Sequence, residues 1–298
     1  MPRAEPAAAT AVSGIQHRFE AIGTPWRIDT DEPLPGDVLV AIDERIERFD
    51  RTYSRFRADS LVSRIAAQAG EWLFPADAVP MFDLYRSLYD RTAGSVSPLV
   101  GARLENLGYD RAYSLTPSPH RVAVPSWDDT ISWDGRRLTT ARPVLLDVGA
   151  AGKGYLVDLV AGILRDAGIH SYTVDASGDL LHRGEHPLRI ALEHPGDPTK
   201  AIGVYTLRSG ALCASAPNRR AWGDGLHHII DAVTGEPTSR VVATWAVASS
   251  ALVADGIATG LFFAGAGAFT DAWDFEYVRL FANGTAEYSR ELNGELFT

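Results

Sequence analysis

Cysteine is nearly absent from this chain of 298 residues, where Cys213 stands alone. A single thiol excludes a disulfide framework within the chain and any metal cluster built on thiolates. Blocks of Lys or Arg are also missing, and the net charge is -10. That balance argues against a nucleic-acid-binding surface and leaves anionic ligands to be held locally. The first residues, MPRAEPAAATAVSG, lack the continuous apolar run of a secretion signal, and no early cysteine could carry a lipid anchor. Residues 1–15 are expected to form a disordered tail, and the cytoplasm is the expected compartment. No repeat of solenoid type is visible.

What the chain does contain is ordinary for a globular enzyme, with 46% apolar and 22% charged residues. Its most informative stretch runs from Val241 to Thr270, where Asp255 is the only charge. An isolated acid in an apolar run is costly unless it is paired, protonated or bound to a cation. Val241 to Ala248 is β-branched and aromatic enough for a strand. Ser249 or Ser250 can then cap a helix carrying Leu252, Val253, Ile257, Leu261 and Phe262. On that helix Asp255 and Thr259 are four residues apart, so a carboxylate and a hydroxyl share one face. Hard oxygen ligands of this kind suit magnesium (Mg2+) or manganese. Gly256 and Gly260 would let another backbone, or a phosphate, approach. The competing reading has Asp255 hydrogen-bonded to a neighbouring backbone and the glycines serving helix packing. A membrane span is disfavoured by the mid-segment acid and by the strand character of the first half.

Elsewhere the patterning predicts a strand pair over Gln16–Thr30 and a helix over Val38–Phe49. Further helices are predicted after a cap at Asp59 or Ser60 and over Val79–Thr92. Val144 onward reads as strand, glycine turn and helix, with Gly168 as the stop. Strands follow around Tyr172–Val174, Leu188–Leu192 and Val204–Leu207. Helices and strands alternate without a regular βα repeat, so the fold class is α+β with mixed, largely antiparallel sheet. Residues 16–298 are read as one domain, and the Pro-bearing stretch 114–126 is the candidate hinge between two lobes.

Several motifs carry possible chemistry. The turn Gly149-Ala150-Ala151-Gly152-Lys153-Gly154 precedes a helix, where free N–H groups favour anions. It is not a P-loop, because only two residues separate Gly149 from Gly152-Lys153 and Gly154 replaces the hydroxyl residue. Asp147 and Asp158 flank it. His227 and His228 lie on a strand that runs through Asp231 into a turn, either as solvated side chains or as functional ones. Arg219 and Arg220 could clamp phosphate or decorate the surface. His182-Arg183-Gly184-Glu185-His186 matches H-x-x-E-H, the zinc-protease pattern. Gly184 and Pro187 disfavour the helix which that pattern requires, so a strand and turn are expected instead.

Taken in order, these motifs resemble the ApbE family of FAD:protein FMN transferases. Ala21-Ile22-Gly23-Thr24 is similar to its M-G-T element, with Ile22 in place of Met. Ser54-Arg55-Phe56 with Asp59-Ser60 and Ser63-Arg64-Ile65 resembles its S-x-aromatic and D-S-x-x-S-R helix start. Leu146-Asp147-Val148-Gly149 through Lys153-Gly154-Tyr155 to Asp158 is similar to L-D-L-G-x-x-A-K-G-Y-x-x-D. Asp175-Ala176-Ser177-Gly178-Asp179 resembles N-A-G-G-D, His228-Ile229-Ile230-Asp231 resembles H-I-I-D, and Ala254-Asp255 with Thr259 falls on A-D-A-x-x-T. Differences stand at Gly94-Ser95-Val96-Ser97-Pro98, where the family has G-A-F-D-P, and at Ala214-Ser215-Ala216, where it has T-S-G. Asp231-Ala232-Val233-Thr234-Gly235 replaces D-P-x-T-G.

The resemblance implies a flavin cleft between two lobes. It implies a metal held by Asp255, Thr259 and a main-chain oxygen near Gly152. FAD contacts are implied for Ile22, Phe56, Ser95, Val96, Ser97, Lys153, Asp158, Ser177, Gly178 and His228. His228 and Asp255 would be the catalytic pair, and Phe56 a platform for an aromatic ring. The implied reaction passes FMN from FAD to a Thr or Ser hydroxyl of an acceptor flavoprotein bearing a D-x-x-S/T-G-A-S/T motif, and AMP leaves. Hydrolysis of FAD to FMN and AMP, or non-catalytic flavin binding, are the alternatives. Ser209-Gly210-Ala211 departs from the acceptor motif at both flanks, so self-modification is not expected.

Overall fold

The computed structural model describes residues 14–297. Strands β1 (Ile15–Ala21) and β2 (Thr24–Thr30) form a hairpin, followed by helices α1 (Gly36–Tyr53) and α2 (Leu61–Ala67) and strand β3 (Gly70–Leu73). Helices α3 (Val79–Arg91), α4 (Gly101–Asn106) and α5 (Trp127–Thr130) lead to β4 (Ile131–Trp133) and β5 (Arg137–Thr140). Helix α6 (Gly152–Asp166) opens the second half, with β6 (Tyr172–Asp175), β7 (Asp179–Arg183), β8 (Leu188–His194), β9 (Asp197–Leu207) and β10 (Gly210–Ser215) behind it. A 3-10 turn, Pro217–Arg220, precedes the short bridges β11 (Ala221–Trp222), β12 (Leu226–His227), β13 (Ile230–Asp231) and β14 (Glu236–Pro237). The chain closes with β15 (Val241–Ala248), α7 (Ala251–Gly260), β16 (Glu276–Phe281), β17 (Ala286–Tyr288) and β18 (Gly294–Leu296).

The central sheet has eight strands in the order β1-β2-β6-β7-β10-β15-β16-β17. Every neighbouring pair in it is antiparallel. Side chains alternate across it as strand geometry requires. Leu181, Ala211 and Cys213 face the main core with α1, α3, α6 and α7. Leu180 and Leu212 face the other side, where β8 and β9 add Leu188, Ile190, Leu192, Tyr205 and Leu207. A smaller cluster of Leu104, Leu107, Tyr109, Trp222 and Ile230 sits apart, with Phe56 packed against it.

Local signals explain the helices that matter here. Ser60 caps α2 by accepting the Ser63 N–H, and Ser250 caps α7 by accepting the Val253 N–H at 3.3 Å. Gly168 ends α6 with φ of 79°. Helices α6 and α7 can touch because Gly154 has no side chain: a Cβ there would strike the Ala251 carbonyl and lie 2.6 Å from the Asp255 Cβ. Gly256 and Gly260 face protein rather than a phosphate. Added Cβ atoms would meet Leu84 and Phe269 at 2.8 Å, so the helix-packing reading of these two glycines is the one observed.

Other expectations are modified. Most of the predicted tail lies outside the described residues, but Ile15 already pairs with Thr30 in β1. The strand expected at Val144–Asp147 is extended chain without a ladder, tied singly by Val144 N–H to the Ile65 carbonyl and Asp147 N–H to the Pro98 carbonyl. Those two acceptors, one in α2 and one in the 3-10 turn Pro98–Val100, stand where a neighbouring strand would. The stretch 114–126 has no regular element except at its capping end, yet it is pinned rather than loose. Ser118 N–H reaches the Asn106 carbonyl, the Asn106 side chain bonds His120 and Val122, and Arg121 pairs with Glu236. Among the described residues no helix is long and apolar enough to cross a membrane.

Candidate functional site

The glycine turn that leads into α6 gives up its amides to the protein. Gly149 N–H donates to Asp147 Oδ1 at 2.7 Å and Ala150 N–H to Tyr85 Oη at 3.1 Å, while the amides of Ala151 and Gly152 reach the Val148 carbonyl. Gly154 N–H donates to Asp255 Oδ2 at 2.8 Å. The anion cradle expected of this turn is therefore not formed by these amides. Oxygen is what the turn presents: the Ala150 carbonyl accepts from Thr259 Oγ1 at 3.2 Å. That carbonyl, two residues before Gly152, is the main-chain oxygen beside Thr259. Gly152 itself starts α6, with a Cβ position already crowded by Val148 and Phe49.

Asp255 is 4% exposed and lies one helical turn before Thr259 on the buried side of α7. Burial pushes its carboxyl well above the usual carboxylate range, and the charge of Asp179 adds to this, against Lys153 and the Gly154 amide. Asp179 is fully buried, and neither of its carboxylate oxygens has a hydrogen bond. Lys153 Nζ lies 2.8 Å from Asp179 Oδ2, an ion-pair distance, while its hydrogen bond goes to the Ala176 carbonyl at 3.0 Å. Burial would lower the Lys153 pKa, but Asp179 and Asp255 hold it raised. Asp255 resists ionisation here beside the Asp179–Lys153 pair, and a bound cation would supply the charge that stabilises its carboxylate. No group of three His, Cys, Asp or Glu side chains among the described residues is arranged to hold a metal. The oxygen set of Asp255, Thr259 and Ala150 suits a hard divalent ion that keeps positions open for phosphate and water.

Lys153 also ties this centre to two strand turns. It reaches the Ala176 and Ser177 carbonyls at the β6–β7 turn. There Ser177 has φ of 59° and Gly178 of 108°. Ser177 Oγ donates to the Pro25 carbonyl at 2.7 Å, joining that turn to the β1–β2 turn, where Ile22 has φ of 45°. Positive φ at two side-chain-bearing residues is strain that turns at functional sites often carry. Ile22, Lys153, Ser177, Gly178, Asp255 and Thr259 thus belong to one connected framework.

A second group of residues adjoins the turn. Arg55, 2% exposed, donates from Nε to Asp147 Oδ2 at 2.6 Å and from Nη1 to the Tyr109 carbonyl. Burial would raise the Asp147 carboxyl, but Arg55 holds it below the usual range. Phe56 is not a bare platform. Its ring is stacked with Tyr113 at 5.3 Å and an interplanar angle of 4°, and the Arg55 guanidinium lies 4.2 Å from its centroid. Ser95 accepts the Ala232 amide through its carbonyl at 3.0 Å, Val96 is buried, and Ser97 Oγ caps the turn at Leu99. Of the three, Ser95 ties down the 228–235 segment, while Val96 N–H bonds Thr92 Oγ1 and Ser97 Oγ is used locally.

His227 and His228 divide the two readings open to them. His227 is structural, with Nε2 2.8 Å from the Thr238 carbonyl and Nδ1 accepting the Ile229 amide. His228 has a buried Nδ1 with no partner. Burial pushes its pKa down to about 3, with the positive charges of Arg220 and His227 adding to the effect and Asp147 opposing it. A neutral imidazole with an unspent nitrogen can accept a proton.

The ApbE family model matches residues 22–277. The chain belongs to the ApbE family. It is 26% identical to the FAD:protein FMN transferase of Klebsiella pneumoniae over 288 residues, covering 89% of this chain and 81% of that protein. It is 29% identical over 247 residues to the enzyme of that name from Vibrio cholerae, covering 75% of this chain and 72% of that one. Among solved structures, the ApbE protein of Thermotoga maritima matches with a TM-score of 0.81 and 25% identity, over 93% of this chain and 97% of its own. The flavin transferase ApbE of Vibrio cholerae matches with a TM-score of 0.76 at 23% identity, over 93% of this chain and 97% of its own.

Within this ApbE chain one expected flavin contact serves the scaffold. Asp158 accepts the amides of Ala251 and Leu252, both at 2.8 Å, so its two oxygens cap α7 from α6. Burial raises its pKa to about 6, against those two amides. The H-x-x-E-H match is not a metal site: His182 lies on β7, with Nδ1 2.9 Å from Thr173 Oγ1 and Nε2 2.9 Å from the His186 carbonyl. Sequence reasoning missed Ala150 and Tyr85. Tyr85 sits on the apolar stripe of α3 and signals nothing until its hydroxyl is seen under the turn. Ala150 acts through a backbone atom that any residue carries.

Proposed function

We propose that this protein transfers FMN from FAD to a hydroxyl of an acceptor flavoprotein, with AMP as the other product. The observation that carries the reading is the oxygen set of Asp255, Thr259 and the Ala150 carbonyl, beside a buried acid and Lys153. A divalent ion held by those three oxygens would supply charge neutralisation on the phosphoryl group. Magnesium or manganese is the proposed ion, since all three donors are hard oxygens.

The chain's own residues account for the rest of the chemistry. Lys153, its Nζ held by Asp179 and the Ala176 and Ser177 carbonyls, contributes positive charge near the phosphates. His228, neutral at physiological pH, is the proposed acceptor of the attacking hydroxyl's proton. Ile22, Ser177 and Gly178 line the proposed flavin side, where strained turns bring backbone close to a planar ring. Phe56 would serve that side once Tyr113 moves from its ring. The acceptor is proposed to present a Ser or Thr in a D-x-x-S/T-G-A-S/T context.

Incubation with FAD, Mg2+ and a protein carrying D-x-x-T-G-A-T tests the proposal. Added FMN mass on the acceptor is the expected result. Release of FMN and AMP with the acceptor unmodified would replace transferase by hydrolase, and unchanged FAD would leave a flavin carrier.

A further inference from the structure

The 3-10 turn Pro217–Arg220 puts two arginines side by side with different fates. Arg219 is spent on the surface, its Nη2 2.7 Å from Glu193 Oε2. Arg220 makes no ion pair among the described residues and is only partly exposed. Antiparallel pairing of Ala221 with His227 and Trp222 with Leu226 carries Arg220 opposite His228. The Arg220 guanidinium carbon stands 6.0 Å from the Tyr109 ring centroid, over the same aromatic cluster that holds Arg55. Its charge is felt at His228, at Asp147 and at Asp255. Asp147 is already taken by Arg55 and the Gly149 amide.

We propose that Arg220 is a substrate-binding residue, the guanidinium that receives the phosphoryl oxygens of FAD between His228 and the Asp255 oxygens. The inference rests on the flavin-transfer reading for the identity of the ligand. Three features carry it. A guanidinium has five donors in a planar fork, suited to paired phosphate oxygens. Every other cation of the inner site is committed: Arg55 to Asp147, Lys153 to Asp179 and Ala176. An arginine left without a carboxylate, in a site with a surplus of buried acid, is held for an anion that arrives from outside. The amides of Gly149, Ala150, Ala151, Gly152 and Gly154, bonded within the protein, do not take that part.

Calorimetric or fluorescence titration of FAD into wild type, Arg220→Lys, Arg220→Gln and Arg219→Ala tests this without requiring turnover. Loss of charge-assisted bonds predicts roughly ten- to hundredfold weaker FAD binding in Arg220→Gln. Arg220→Lys should stay closer to wild type because the charge is kept, and Arg219→Ala should match wild type. Equal losses in the Lys and Gln variants, or none in either, would overturn the assignment. Melting temperatures read in parallel without FAD should be unchanged, and a fall matching the loss of binding would mark Arg220 as structural. Wild-type FMN transfer to the acceptor is scored separately, so failure of transfer with FAD binding that follows the charge at position 220 would sink the reaction and leave the arginine's role standing.

Discussion

Asp255 is where charge, burial and chemistry meet in one side chain. Its folded-state pKa is raised, so the folded chain binds a proton there more tightly than the unfolded one, and its ionisation costs stability as pH rises above the unfolded value. Asp255→Asn removes that cost. The apo variant should melt no lower than wild type at pH 7, while losing both metal-dependent transfer and the rise in melting temperature that Mg2+ with FAD gives wild type. Wild-type metal affinity in that variant, measured by calorimetry, would refute the site. His228 has the opposite sign. Its pKa is lowered from 6.5 to about 3, so the unfolded chain takes up a proton that the folded one refuses, and stability falls as pH drops from about 6.5 toward 3. His228→Gln should therefore narrow the gap in melting temperature between pH 7 and pH 5. If His228 accepts the hydroxyl proton, wild-type transfer should show no titration step of this group between pH 5 and pH 8. An NMR titration of the His228 imidazole in the wild-type protein with a midpoint near pH 6.5 would contradict the lowered pKa.

The α6–α7 pair is the element that fixes the metal-facing oxygens relative to one another. The Gly154 close approach, the Gly154 N–H bond to Asp255 Oδ2 and the double cap from Asp158 hold it. Asp158→Ala should cost about 1–3 kcal/mol by leaving two α7 amides unpaired, seen in urea unfolding. Gly154→Ala should force the helices apart, lowering stability and weakening Mg2+ binding together. The helices themselves were legible in the sequence, because α1, α3, α6 and α7 each show a 3.6-residue apolar period and α7 has its serine cap. So was the i, i+4 alignment of Asp255 and Thr259. Ala150 was not legible, since a carbonyl's availability depends on where the neighbouring amides go. Nor was the covering of Phe56 by Tyr113, a contact made through a loop whose left-handed Tyr113 (φ 50°) no period predicts. Val144–Asp147 looked like a strand because burial, not ladder pairing, selects its apolar run.

At the scale of the whole molecule, the two halves of the chain share one strand pairing in the central sheet and one core in which α1 packs on α6 and α3 on α7. Residues Arg27–Thr30 of β2 pair with Tyr172–Asp175 of β6, so the first half has only the small three-stranded sheet β3-β5-β4 to itself, and its N-terminal hairpin is completed by strands of the second half. A fragment ending at Arg142 should show no cooperative thermal transition by circular dichroism; a sharp one would mean that the first half is an independent domain. The central sheet is a meander in chain order, β1 through β17, interrupted by the excursions that carry the site. During synthesis the edge of β2 waits unpaired until the ribosome has delivered everything from Asp31 to Asp175. At about 5–20 residues per second that is on the order of ten seconds, long enough for an open β edge to find another nascent chain. The late arrival of β6 makes this protein's yield a matter of translation tempo: slowing the ribosome within that interval should increase aggregation, and a chaperone that shields strand edges should restore it.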